Sequence, residues 1–410
     1  MLSGSLVPKA TFTTTAVDKP ASANLPRGTM RICLVYDCLY PYTVGGAERW
    51  YRALAERIAE AGHDVTYLTL RQWPRGADPG VPGVEVVTVG PHMPLYTDGR
   101  RRIVPPVVFG AGVFLHLLRR GKRYDVVHTS SFPYFSLLAA ASLRRVLHRR
   151  LFVDWLEVWT REYWQEYLGR LGGIGWRVQR QAVRTKHRAF CLSRLHAERL
   201  REEGFDGPIT ILRGLYSGDA ERRPPRDSTP VVVFAGRHIP EKRVTSIPAA
   251  VAAARSVLPE LRAEIYGDGP KRQELLRRIR ELGLEDVVAA PGVVPAEQVA
   301  EALGTALCLI LPSRREGYGL VVVEAAAKGT PSLLVAGPDN AAAELIEDGI
   351  NGFVAEDAAP DTMAAAIIRI HEAGEALRGA TADWYRRNQE ALSIDSSLDK
   401  VLAAYAESAE

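Results

Sequence analysis

Two glutamates eight positions apart, Glu316 and Glu324, flank the turn Gly317-Tyr318-Gly319-Leu320, and the run from Val321 to Ala327 stops at Gly329-Thr330-Pro331. Glycines at 317 and 319 allow backbone angles closed to other residues, so the chain can approach a ligand where a helix begins. A helix start presents unpaired N–H groups and about half a positive charge. A diphosphate placed there gains ~0.3–1 kcal/mol, or about 2 kcal/mol when partly buried. Glu324, one turn into the helix, accepts hydrogen bonds only, which suits the paired hydroxyls of a ribose. Glu316, ahead of the turn, would face whatever the phosphate carries. Alternatively, the segment is an amphipathic surface helix and Glu324 a solvated acid.

Four further groups of residues could contribute chemistry. Gly236-Arg237-His238-Ile239-Pro240-Glu241-Lys242 follows the apolar run Val231 to Ala235 and places two cations at the end of a strand. Arg237 offers a planar fork and Lys242 a point charge, each contributing about 1.5–3 kcal/mol to a phosphate contact unless both pair with nearby acids. Val44-Gly45-Gly46-Ala47-Glu48 is a glycine turn after the first strand, and its spacing is not G-x-G-x-x-G, which argues against nicotinamide binding. His128 ends another strand, as either a catalytic or a structural histidine. Asp154-Trp155-Leu156-Glu157-Val158-Trp159 mixes acids with indoles, which suits stacking on a sugar, or else an aromatic lid that packs on itself. Gly267-Asp268-Gly269-Pro270 reads as a plain turn.

Positioning these groups takes parallel sheets. Apolar runs alternate with segments of helical period: Arg31–Tyr36 and then Glu48–Ala61, with further strands at 65–70, 84–89, 125–128, 151–153, 190–192 and 209–212. A second series occupies 231–235, 263–266, 287–289, 307–311, 332–335 and 353–354. Between them Gly218 to Pro230 replaces periodicity with prolines and charges. The organisation expected is therefore a leader at 1–29, an N-terminal Rossmann-like domain at 30–218, a linker at 219–229, a second such domain at 230–383, and a helix at 384–410 crossing back to the first. With 410 residues, 47% of them hydrophobic, both domains can bury a core. The leader lacks an apolar signal core and is expected to be disordered, which makes Met30 an alternative start to Met1.

Charge divides between the halves. Residues 30–218 hold 28 Lys plus Arg against 17 Asp plus Glu, while residues 219–410 hold 21 against 30. The basic half could attract an anionic partner or simply complement the acidic half across a cleft. Its arginines are scattered and accompany no nucleic-acid motif, so no nucleic-acid partner is expected. Cys33, Cys38, Cys191 and Cys308 show no C-x-x-C spacing, which predicts reduced thiols in a cytoplasmic protein and neither a disulfide nor a zinc site. The apolar stretch from Ile103 to Leu118 is interrupted by Pro105, Pro106, Gly110 and Gly112, so a spanning helix is not expected. The apolar then Arg-rich segment from Val113 to Arg120 is compatible with peripheral contact at an anionic membrane.

Taken together, the Gly45-Gly46 turn, Arg237 with Lys242, and Glu316 with Glu324 resemble the retaining glycosyltransferases of family 4, over residues 30 to about 405. The resemblance implies the GT-B architecture of two facing Rossmann-like domains and transfer of a sugar from UDP or GDP to an acceptor hydroxyl. The acceptor would be a glycan, a lipid-linked intermediate or a natural product. It implies no cofactor, no required metal and, by default, a monomer. Carried over by position, Arg237 and Lys242 hold the diphosphate, Glu324 the ribose and Glu316 the sugar. The backbone of Gly317, Tyr318, Gly319 and Leu320 donates to phosphate or sugar, with Gly45, Gly46 and Gly236 also on the donor side. Glu316, Arg237, Lys242 and His128 form the catalytic set, and Ser130, Asp154 and Glu157 face the acceptor. Two features depart from the family pattern: Ser130 stands where a second histidine is common, and Asp339-Asn340-Ala341-Ala342-Ala343-Glu344 replaces a Gly-Gly-x-x-Glu pattern. Rival readings are a sugar-nucleotide epimerase of the same fold, a phosphorylase-like enzyme and a non-catalytic relative.

Overall fold

Short apolar runs without alternation, such as Ile32 to Val35 and Val231 to Phe234, can be buried on both faces only if helices cover the sheet on either side. The computed structural model, which describes residues 28–97, 100–147, 150–218 and 227–407, contains two such parallel sheets. The seven strands of the first stand in the order Val84–Thr88, Asp64–Thr69, Arg31–Val35, Val126–Ser130, Arg150–Trp155, Arg188–Cys191 and Ile209–Ile211. The second runs Val288–Gly292, Arg262–Tyr266, Val231–Ala235, Cys308–Leu311, Ser332–Val335 and Gly352–Ala355. These are two Rossmann-like domains. The strand ends lie within three residues of the positions expected from the apolar pattern.

In each sheet the chain order reverses beside the first strand, and ligands of such sheets bind at the carboxyl ends flanking that switch. In the first domain the segments emerging there follow Val35 and Ser130; in the second they follow Ala235 and Leu311. These are the glycine turn at 45–46, the loop after His128, the Arg237 to Lys242 loop and the approach to Glu316.

The chain crosses between domains twice, and the crossings run side by side. Tyr216 N–H donates to Leu392 C=O (3.1 Å), and Ile394 N–H donates to Tyr216 C=O (3.0 Å). Helix Pro360–Leu392, bent at Gly374, belongs to the second domain, so residues 384–392 continue that helix. The helix resting on the first domain is Ile394–Glu407, held by Arg188 to Glu407 (2.7 Å), Arg57 to Asp395 (3.3 Å) and Gly214 N–H to Ser397 Oγ (3.1 Å). Most of the expected leader and linker, residues 1–27 and 219–226, lies outside the described residues.

The stretch from Val104 to Arg120, expected to be interrupted, is one helix. Pro105 and Pro106 fall in its first turn, where backbone N–H groups have no intrahelical acceptor to lose. No helix among the described residues is long and apolar enough to cross a membrane.

Candidate active site

The helix after the second glycine turn forms despite Val321, Val322 and Val323, because Val322 and Val323 are fully buried and packing outweighs their strand preference. Its start depends on the two glycines for different reasons. Gly319 has φ of 91°, and a Cβ there would meet Ala342 at 2.5 Å. Gly317 has no such angle, but a Cβ would lie 2.9 Å from Leu156 C=O and from Glu157 Cγ in the other domain. Both close approaches are to protein. The turn is thus one of the places where the two domains touch, with the Tyr318 hydroxyl donating to Arg213 C=O.

Ahead of the turn, Glu316 is buried and accepts from the Lys242 ammonium and from Ser313 Oγ (2.8 Å). Glu316 stands in register with Asn340, whose side-chain amide bonds Val335 C=O (2.8 Å) and Ser313 C=O (3.2 Å). The segment that departs from the family pattern therefore still braces Glu316. Gly236 continues its strand's ladder to Tyr266 C=O (3.1 Å), and the next residue, Arg237, is exposed. Among the described residues Arg237 has no ion-pair partner, and Glu241 accepts from the Tyr163 hydroxyl (2.9 Å). Of the two cations, Lys242 is paired with Glu316 and Arg237 is open.

Between the domains lies a cavity of about 190 Å³ lined by Gly46, Arg49 and Trp50 from one side, Leu320 and Glu324 from the other, and Tyr216 at the crossing. Gly46 begins the long helix Gly46–Glu60, so its N-terminal turn and that of Leu320–Ala327 face the same space. Gly45 is extended, with the Glu48 carboxylate folded back over it. Burial raises the Glu324 carboxyl above its ordinary range, and Arg49, 3.6 Å away, partly offsets the shift. Arg237, Lys242 and Glu316 do not line this cavity. Arg49 was missed by sequence reasoning, because its partner is on the other domain and nothing local marks it.

The N-terminal candidates need correction. His128 lies fully buried, with Nε2 against Asp154 Oδ1 (2.9 Å) and Nδ1 against the Tyr405 hydroxyl (2.6 Å). Asp154 is equally buried and accepts from Trp50 Nε1 through Oδ2 (2.8 Å). A ring with its proton on Nε2 satisfies every member of this chain, which ties the first helix, two strands and the last helix together. Neither residue faces the cavity. Ser130 is also buried, its hydroxyl without a partner among the described residues. Strand Val126–Ser130 is covered on both faces, so its end is not open in the way a bare sheet edge would be.

Glu157 stands at the interface and is already engaged. Arg315 reaches it at 2.7 and 2.8 Å, and Trp159 Nε1 donates at 2.8 Å. Burial pushes the Glu157 carboxyl up, but Arg315, with help from His196 and Trp159, holds it at about 2. The Arg315 guanidinium also lies over the rings of Tyr163 (3.8 Å) and Trp159 (4.8 Å). Glu157 and Trp159 therefore form an interdomain clasp, with Arg315 the unforeseen member. Elsewhere Arg49, Arg194 and Arg199 of the basic half pair with Glu324, Glu344 and Asp339 of the acidic half, so the charge split complements itself across the junction. Glu344 additionally accepts from the N–H groups of Arg194 (3.0 Å) and Leu195 (2.8 Å) at a helix start. Among the described residues no group of three or more His, Cys, Asp or Glu side chains could hold a metal ion.

Comparison with known proteins agrees with this geometry. The family model for glycosyl transferases group 1 matches residues 219–383, and the model for glycosyltransferase family 4 matches residues 44–214. The MMP alpha-(1->4)-mannosyltransferase of Mycolicibacterium hassiacum is 25% identical over 88% of this chain and 94% of its own. Sucrose-phosphate synthase from Thermosynechococcus elongatus superposes with a TM-score of 0.76 at 18% identity, covering 92% of this chain and 98% of its own. Anabaena HepE, solved in complex with UDP and glucose, gives 0.69 at 17% identity, covering 92% and 99%. With each domain matched by its own glycosyltransferase model and the two sheets arranged as in these structures, the chain belongs to the family-4-type glycosyltransferases of the GT-B fold.

Proposed function

We propose that this glycosyltransferase takes its sugar from a UDP- or GDP-linked donor and passes it to an acceptor hydroxyl with retention of the anomeric configuration, without a metal ion or other cofactor. The observation that carries this reading is the arrangement at the second sheet's switch point: an open Arg237, a Lys242 held by buried Glu316, and a helix start leading to Glu324. A diphosphate entering there meets two cations, one of them shared with Glu316, and a helix N-terminus. Lys242 is shared between Glu316 and the incoming phosphate, which links donor binding to the position of the sugar-facing acid. Glu324, whose carboxyl burial raises above its ordinary range, offers acceptor oxygens that suit a hydroxyl pair better than a phosphate.

In front-face transfer the acceptor oxygen attacks the anomeric carbon from the side the phosphate leaves, and the departing phosphate oxygen takes the hydroxyl proton. Charge then develops on the phosphate, where Arg237 and Lys242 stabilise it without needing a protein base. His128 and Asp154 are both engaged by buried partners, which is consistent with this route. The buried, unpaired cysteines support a cytoplasmic setting.

A screen of nucleotide sugars by thermal shift identifies the donor, since a ligand at 100 times its Kd stabilises by roughly 2.7 kcal/mol. Proton NMR of the product then reads the anomeric configuration, with and without EDTA. Retention and undiminished turnover in EDTA are expected. An inverted product, a metal requirement, or a new free nucleotide sugar in place of a glycoside overturns the reading.

A further inference from the structure

Helix Val104–Arg120 is apolar on two faces, and the first domain uses only one. Pro105, Pro106, Phe109, Gly110, Val113 and Leu117 are buried, and the helix packs chiefly on the one that follows, Tyr134–Leu147. A Cβ at Gly112 would lie 1.8 Å from Val89 C=O, so this side of the helix is pressed tightly onto the domain. The other side carries Val104, Val107, Phe114, Leu115 and Leu118, with Ile103 just before the helix, each between 37% and 57% exposed. At helical spacing the five positions within the helix fall in an arc of about 100°. Single exposed apolar residues need no explanation, but a continuous stripe of them does.

Charge identifies what the stripe fits. From Arg100 to Tyr124 the sequence holds seven Lys and Arg and no acid. Arg102 is exposed just before the helix, and Arg119, Arg120 and Arg123 are exposed at its far end, with no ion pair to another described residue. Arginines in a last helical turn also favour the helix dipole, but that accounts for neither Arg102 nor Arg123 nor the apolar stripe. We propose that this face docks the enzyme on an anionic lipid bilayer, the stripe entering the interface and the arginines meeting phosphate headgroups. A second copy of the chain fits less well, because the face offers no acid to receive those cations. Arg101, next to the helix start, is paired with Asp37 at the carboxyl edge of the first sheet, so the docked helix begins beside that sheet's switch point.

The test is flotation of the full chain with phosphatidylcholine vesicles, with and without phosphatidylglycerol, at low and high salt, alongside sedimentation velocity without vesicles. Binding is expected only with phosphatidylglycerol, weakening as salt rises. The triple variant Arg119→Gln, Arg120→Gln, Arg123→Gln should lower partitioning roughly 100-fold. Leu115→Ser with Leu118→Ser should lower it by about tenfold, while circular dichroism and transfer to a water-soluble acceptor stay unchanged. Absence of binding to anionic vesicles overturns the proposal. So does equal binding by the variants, or a concentration-dependent dimer that the serine substitutions dissolve without any vesicle binding. None of these outcomes depends on the donor assignment.

Discussion

The two domains carry the same sheet logic but use their strand ends in opposite ways. In the second, of the cations after Val231–Ala235, Arg237 stays open and Lys242 is held in one ion pair with Glu316. In the first, His128 and Asp154 are consumed by the fold, through the chain from Trp50 to Asp154, His128 and Tyr405. The difference shows that a polar residue at a switch point is available for chemistry only if no distant element reaches over to satisfy it. For the first domain that element is the final helix, which supplies Tyr405.

The comparison is sharpest when the buried chain is cut. His128→Ala leaves the Asp154 carboxylate buried with one donor fewer, and should cost about 3–5 kcal/mol of unfolding free energy in urea while the folded fraction keeps normal kcat. A catalytic role would show the reverse, normal stability with lost turnover. Arg237→Ala should do just that, cutting kcat by roughly 10²–10³ with an unchanged melting temperature. Near-normal turnover in that variant would remove the open cation from the mechanism.

The interdomain clasp gives the next effect. Burial lowers His196 to about 4, with Glu157 opposing the shift and Arg315 and Arg199 adding to it, and His196 Nδ1 accepts from Val158 N–H (3.2 Å). A histidine whose folded value lies below its unfolded 6.5 is fully stabilising above that pH, and its contribution is lost as pH falls from 6.5 toward 4. His187, also lowered to about 4 by burial, acts in the same window. Each should lower unfolding free energy by on the order of 3 kcal/mol across it, and a flat pH profile would contradict the assignment. Glu157, held at about 2, adds its loss only at lower pH, between its ordinary 4.5 and 2.

The smallest effect is expected at the cavity. Glu324→Gln keeps the shape but weakens hydroxyl acceptance and the contact with Arg49, so calorimetry should find nucleotide affinity reduced roughly tenfold, with kcat little changed. A large loss of kcat at constant affinity would instead move Glu324 from binding to chemistry.

Much of this was legible in the chain itself. The strand positions followed from short apolar runs, the two-domain division from the repeat of that pattern, and the glycine turn and its helix from Gly317, Gly319 and the Gly-x-Pro stop. Arg315 and Arg49 were not legible, since an arginine beside a motif looks the same whether it faces water or the opposite domain. Gly317 was read as making room for ligand; its close neighbours are Leu156 and Glu157.

Sequence alone determined what depends on period and neighbour: which segments are strands, where helices begin, and which residue types stand at strand ends. Tertiary structure decided which of those residues remain free. The fate of His128 rests on Tyr405, 277 positions away, and that of Glu157 on Arg315, 158 positions away. Spacing within an element is fixed by backbone geometry, whereas pairing between domains is fixed only once both have folded and closed on each other.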